Sequence, residues 1–184
     1  SGHSDVIGGC AITNNSELAE FIFEWGKAYG ACPSPFDCWL SLRGLRSLAC
    51  RMEKHCKNAQ QIAEYFDGRE GIKKVHYPGL PSHPDYEVAK KQMSGFGAMI
   101  ALEFESVELA KWVAENVKVF ILAESLGGVE SLIAYPPLMS HATMTEEQRL
   151  ERGITPDLLR VSVGIEDAQD LIDDLEQAIA SFKK

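Results

Sequence analysis

Apolar positions along this chain recur with two spacings, and the change from one to the other divides it. Up to about residue 66 the spacing is helical. Leu18, Phe21, Ile22 and Trp25 stand three or four apart, and Asn14, Asn15 or Ser16 can cap the start of the helix they predict. Gly26 and Gly30 are expected to break it. Ahead of it, residues 10–13 read as a short apolar strand behind a polar loop and the pair Gly8-Gly9. Ser34 caps a second helix, with Pro35 in its first position and Asp37 in its third. Phe36, Trp39, Leu40, Leu42, Leu45, Leu48, Met52, Ile62, Ala63 and Phe66 then continue the apolar pattern to Asp67-Gly68. One helix over 35–66 follows, and at ~1.5 Å per residue it spans nearly 50 Å, enough to bridge two domains. Gly44 is a candidate bend. Arg43, Arg46, Arg51, Lys54 and Lys57 read as a solvated face. Trp25, Trp39 and Trp112 fall on helix faces and are expected in the core.

From Ile72 onward short apolar runs alternate with amphipathic segments. Strands are predicted at 72–76, 98–104, 119–122, 132–135 and 158–163, and helices at 86–93 and 107–117. Thr145-Glu146-Glu147-Gln148 is a capping box, and Gly153 ends that helix. Asp167 caps the last helix, with Leu171, Ile172, Leu175, Ile179 and Phe182 inward and Glu166, Asp167 and Asp170 complementing its dipole. Alternation of this kind predicts an α/β arrangement, with helices on a sheet.

Composition changes little in this picture. A length of 184 residues suits one large domain or two small ones. The net charge of −9 argues against nucleic acid and anionic membrane surfaces as partners. No apolar run approaches the ~20 residues of a transmembrane helix. The five cysteines (Cys10, Cys32, Cys38, Cys50, Cys56) are odd in number and lack C-x-x-C spacing, so reduced thiols of a cytosolic protein are expected rather than zinc or a disulfide framework. The chain opens on Ser1 in mid-stride and is expected to be a piece of something longer.

Two stretches could carry chemistry. In 158–164, Leu159, Val161 and Val163 share one face of a strand and Arg160 and Ser162 the other. An arginine in such a run is costly to bury unless it meets an anion, and its planar fork matches a carboxylate. A substrate carboxylate, an internal acid or a solvated edge position would each account for Arg160. In 123–132, two apolar runs flank Glu124, Ser125 and the pair Gly127-Gly128. That loop could cup a ligand, or be a glycine-rich turn with solvated side chains. His3, Ser4 and Asp5 are sequence neighbours and do not make a convincing triad. His141 reads as a loop hydrogen-bonder, and no lysine stands out as a Schiff-base candidate.

The opening Ser1-Gly2-His3-Ser4-Asp5 resembles the segment just after the cofactor lysine in the pyridoxal-phosphate enzymes of cysteine and methionine metabolism, roughly T-K-[aromatic]-[aliphatic]-x-G-H-S-D. Further blocks at 33–37, 43–48, 77–84, 124–132 and 158–167 continue the resemblance across essentially the whole chain. Blocks 33–40 and 51–55 are most similar to the cystathionine γ-lyase branch. The resemblance implies a fold-type I transferase-like C-terminal domain, a small sheet covered by helices, joined by a long helix to the end of the large cofactor domain. Residues 1–50 would be the end of that large domain and 51–184 the small one. It implies pyridoxal 5'-phosphate as cofactor, with its lysine three residues before Ser1 and no catalytic or cofactor-binding residue within this chain. Arg160 would hold the substrate carboxylate, Ser125 would lie in the active site, and Glu124 would meet the distal ammonium of cystathionine. The implied reaction is α,γ-elimination of cystathionine to cysteine, 2-oxobutyrate and ammonia, in a cytoplasmic homotetramer. Cystathionine γ-synthase and methionine γ-lyase chemistry are alternatives within the family. A C-terminal module that only binds partner chains is an alternative outside it.

Overall fold

A computed structural model describes residues 1–183. Its contacts form two compact units, Ser1–Leu48 and Ala49–Lys184.

The first unit holds helices α1 (Ser16–Tyr29) and α2 (Pro35–Arg46). Asn15 caps α1, its Oδ1 accepting from the Leu18 amide at 3.0 Å. Helix α1 runs through Gly26 and stops at Gly30, which takes left-handed backbone (φ 71°). Ser34 caps α2 as expected, accepting from the Asp37 amide at 3.1 Å behind Pro35. Residues 1–15 hold neither helix nor strand, so the strand expected at 10–13 does not form. A run of that length has no neighbouring ladder here. Trp25 and Trp39 are exposed rather than in the core, and no residue of α1 is buried. Periodicity marks an apolar stripe, not what covers it. Helix α2 runs on through Gly44, where a Cβ would lie 2.5 Å from the Ser1 carbonyl oxygen, so the opening backbone crosses α2 there.

The helix expected over 35–66 is two helices. Ser47 leaves helical geometry (φ −102°, ψ 4°), and its amide turns back to the Gly44 and Leu45 carbonyls. Helix α3 (Leu48–Phe66) follows. Arg51, expected on a solvated face, is buried, as are His55 and Asn58.

The second unit is built on a mixed five-stranded sheet in the order β1-β2-β5-β4-β3. The strands are β1 (Ile72–His76), β2 (Met99–Phe104), β3 (Ile121–Leu122), β4 (Leu132–Ala134) and β5 (Leu158–Ser162). All neighbours are antiparallel except β3 and β4. Helices α4 (Tyr86–Gln92), α5 (Val107–Asn116), α6 (Glu146–Leu150) and α7 (Ala168–Ala180) complete it. One core joins Ile62 and Phe66 of α3, Val113 of α5, Leu171 and Leu175 of α7, and Ile100, Ile133, Leu159 and Val161 of the sheet. Trp112 stays partly exposed, with its indole N–H donating to Ser181 Oγ at 3.0 Å. The capping box at Thr145 forms, and Asp167 caps α7.

Asp174 breaks the apolar stripe of α7 between Leu171 and Leu175, and it is buried. Its carboxylate accepts from the backbone amides of Lys118, Val119 and Phe120 at 2.7, 2.7 and 3.0 Å. These amides precede a two-residue strand that offers them no ladder partner, so the aspartate ties β3 to the core. Asp174→Ala leaves three backbone donors, that of Phe120 buried, without their acceptor and should lower unfolding stability by about 2–4 kcal/mol in urea titration. A loss under about 0.5 kcal/mol would show that water replaces the carboxylate.

A β-bulge between Ile72 and Lys74 turns Lys73 over the sheet edge. Its ammonium stands 3.2 Å from Asp157 and 3.4 Å from Glu103, whose other oxygen meets His76 Nε2 at 2.6 Å. Burial pushes the Asp157 carboxyl up, but the nearby Thr155 hydroxyl and the Lys73 ammonium outweigh it and hold it below the ordinary value. Hydrogen bonds to Asp157 and Glu103 hold the Lys73 ammonium above its ordinary value. A depressed carboxyl stabilises fully above the ordinary carboxylate range, and that contribution fades as pH falls through the depressed value. The raised ammonium contributes below the ordinary lysine range and fades as pH rises past it. Asp157→Asn should therefore cost stability at neutral pH and flatten the fall as pH drops below the ordinary carboxylate range, as read by denaturation at each pH. An unchanged acid limb would overturn the assignment.

Candidate functional site

Strand β5 is central, and its register sets the site. Leu159 and Val161 pass into the core, while Arg160 and Ser162 take the other face. Arg160 stands between Ala101 of β2 and Ala134 of β4, and Ser162 between Met99 and Leu132. Residues directly opposite in antiparallel strands share a face, so two alanines leave room beside the guanidinium.

Arg160 makes no ion pair with any acid among the described residues. Its Nη2 donates to the Ser125 carbonyl oxygen at 2.8 Å, while its buried Nε has no partner. The structure thus brings Arg160 and Ser125 together through the backbone of Ser125. Glu124, the next residue back, is exposed and has no hydrogen bond or ion pair among the described residues. His3, Ser4 and Asp5 lie in the first unit, and His141 bonds its neighbour Ser140 at 2.8 Å.

The turn holding Ser125 is strained. Ser125 has φ 94° and Gly127 has φ 75°. Only glycine takes such backbone freely; a serine there costs about 1–3 kcal/mol and persists only when its surroundings hold it. One restraint is the Arg160 bond. The other is Ser162, whose Oγ accepts from the Gly127 amide at 2.9 Å.

Past β5 the chain turns at Gly164, where hydrogen bonds converge. The Gly164 amide donates to Ser131 Oγ at 2.7 Å, and its carbonyl accepts from Asn58 at 3.1 Å. The Glu166 carboxylate accepts from the Ser131 amide and hydroxyl at 2.7 and 2.8 Å. His55 Nδ1 lies 2.7 Å from the Val163 carbonyl, so that nitrogen carries the proton. A Cβ on Gly164 would lie 2.3 Å from the Val129 carbonyl and 2.7 Å from the Ser131 amide. Glu166 is therefore more than a dipole-complementing acid: it clasps the far end of the 123–132 loop. Sequence reading missed His55, Asn58, Ser131 and the Ser162 contact. Their one signal was polar side chains standing on otherwise apolar stripes.

No group of three or more His, Cys, Asp or Glu among the described residues could hold a metal ion, and no helix is long and apolar enough to cross a membrane.

Residues 1–180 match the family described as Cys/Met metabolism PLP-dependent enzyme, and the chain belongs to that family. It is 49% identical to a cystathionine β-lyase of Coxiella burnetii over 97% of this chain and 47% of that protein. It is 48% identical to a cystathionine γ-lyase of Dictyostelium discoideum over 97% of this chain and 46% of that protein. Among solved structures, cystathionine γ-synthase from Xanthomonas oryzae pv. oryzae in complex with cystathionine superposes with a TM-score of 0.92 at 47% identity, covering 97% of this chain and 46% of that one. The chain therefore spans about half the length of the relatives it matches.

Because backbone atoms crowd Gly164, Gly164→Ala should displace the turn and cost about 2 kcal/mol or more in unfolding stability. A variant as stable as the parent would mean that the Val129–Ser131 segment yields freely.

Proposed function

We propose that this chain supplies the substrate-carboxylate side of a pyridoxal-phosphate-dependent carbon–sulfur lyase acting on cystathionine. The observation that carries the reading is Arg160: a guanidinium flanked by alanines that, among the described residues, has no acid paired with it and no acceptor for its buried Nε. A buried donor without a partner is costly, and an amino-acid carboxylate would supply the missing acceptors bidentately. These features fit the substrate of the cofactor rather than the cofactor itself, and no residue of this chain is assigned to hold the phosphate or the ring. Bound pyridoxal phosphate supplies the electron sink for carbanion chemistry beside the substrate amine.

The part played by this chain is positional. Arg160 fixes the carboxylate, and with it the direction of the neighbouring C–H bond. Ser125, on its strained turn, borders the same end of the substrate. Glu124, exposed and free of partners among the described residues, meets the distal ammonium. Cystathionine as substrate is supported by the Xanthomonas neighbour and by the names of the relatives. We retain α,γ-elimination, which yields cysteine, 2-oxobutyrate and ammonia. The Coxiella relative favours a second reading, α,β-elimination to homocysteine, pyruvate and ammonia. Residues 1–50 would belong to the end of the cofactor domain and 51–184 to the C-terminal domain, in a cytoplasmic homotetramer.

Mass spectrometry of the products from cystathionine decides between the eliminations: 2-oxobutyrate supports the first reading, and pyruvate overturns it in favour of the second. In the complete cofactor-loaded protein, Arg160→Ala should lower kcat/KM for cystathionine by about 100-fold or more. Unchanged turnover would remove Arg160 from the site.

A further inference from the structure

We propose that Ser162 is a positioning residue for Arg160, acting through the Ser125–Gly127 turn. This rests on the reading of Arg160 as the carboxylate anchor. Ser162 is 1% exposed and stands between Met99 and Leu132 on the neighbouring strands. A hydroxyl buried between apolar neighbours costs free energy unless it is bonded, whereas alanine would fill the same strand position at no such cost. The bond that accounts for the hydroxyl is the one it accepts from the Gly127 amide, at 2.9 Å.

That bond acts on the substrate site at one remove. The turn is exposed at Ser125, Leu126 and Gly127, and it holds two residues with positive φ. Few contacts restrain such a turn, and relaxation would rotate the Ser125 peptide. The Ser125 carbonyl is the acceptor that holds Arg160 Nη2, at 2.8 Å, and no other residue among those described bonds the guanidinium. The order is Ser162 to Gly127, Gly127 to the Ser125 peptide, and Ser125 to Arg160. Ser162 and Arg160 lie two apart on one strand face, so the strand carries both ends of this link. Without the Ser162 hydroxyl, Arg160 would sample several rotamers, and an arriving carboxylate would have to order it. The loss falls on binding and leaves the bond-breaking step alone.

A double-mutant cycle in the complete cofactor-loaded protein tests this. Ser162→Ala should raise KM for cystathionine about three- to tenfold, with kcat within about twofold. Ser162→Thr, which keeps the hydroxyl, should restore most of the loss. In the Arg160→Ala background, Ser162→Ala should change KM by less than about twofold, because the residue it acts through is gone. Equal factors in both backgrounds, or a fall in kcat at constant KM, would overturn the proposal. If Arg160→Ala raises KM and Ser162→Ala does not, the positioning role fails and the anchor stands. If Arg160→Ala leaves both KM and kcat/KM unchanged, the anchor fails and this inference with it. Hydrogen exchange in the unaltered protein keeps the idea falsifiable should Ser162→Ala not fold. The Gly127 amide should exchange at least tenfold more slowly than an unprotected peptide, and free exchange would sink the proposal.

Discussion

The turn at Gly164 is the constraint on which the rest of the second unit depends. It has no room for a side chain, because the Val129 carbonyl and the Ser131 amide occupy the space a Cβ would need. Helix α3 reaches it with His55 and Asn58, and the end of the 123–132 loop reaches it with Ser131. Glu166 closes the ring by accepting twice from Ser131. Three segments far apart in sequence are thereby held at one point in the fold. Strand β5 leaves that point with its register already determined. A slip of one residue would send Arg160 into the core and Leu159 out of it.

Substrate recognition then follows from alternation along one strand. The core face of β5 is apolar throughout, and its other face carries Leu158, Arg160 and Ser162, the last two between small or apolar neighbours. The two side chains restrain opposite sides of a turn that would not hold its shape alone. The stored strain at Ser125 and the open donor on Arg160 are two aspects of one preorganised arrangement.

Much of this was legible in the sequence. The period-two run at 158–163 identified β5, the side-chain partition on it and Arg160 as a candidate. Caps at Ser34, Thr145 and Asp167, and a cap within 14–16, were legible because they depend on neighbours within three residues. The polar clasp was not. Ser131 and Glu166 are 35 residues apart, and Lys118 and Asp174 are 56 apart, so no local pattern links them. The exposed tryptophans of α1 and α2 show the converse limit: helical periodicity at Phe21, Trp25 and Phe36, Trp39 marks a face without naming its cover. The break at Ser47 escaped for a related reason, since the apolar pattern runs on through it while the backbone does not.

The outermost strands of the sheet bear on a different property, solubility. An unpaired edge invites strands of other molecules to join it. Strand β3 is only two residues long, too short to template such a partner. Strand β1 is longer, but it carries a bulge and the exposed pair Lys73-Lys74. A second sheet approaching β1 would meet a kinked backbone and two ammonium groups that would have to give up their water. The side chain that organises the ion pairs along this edge therefore also guards the molecule against fibril-like association.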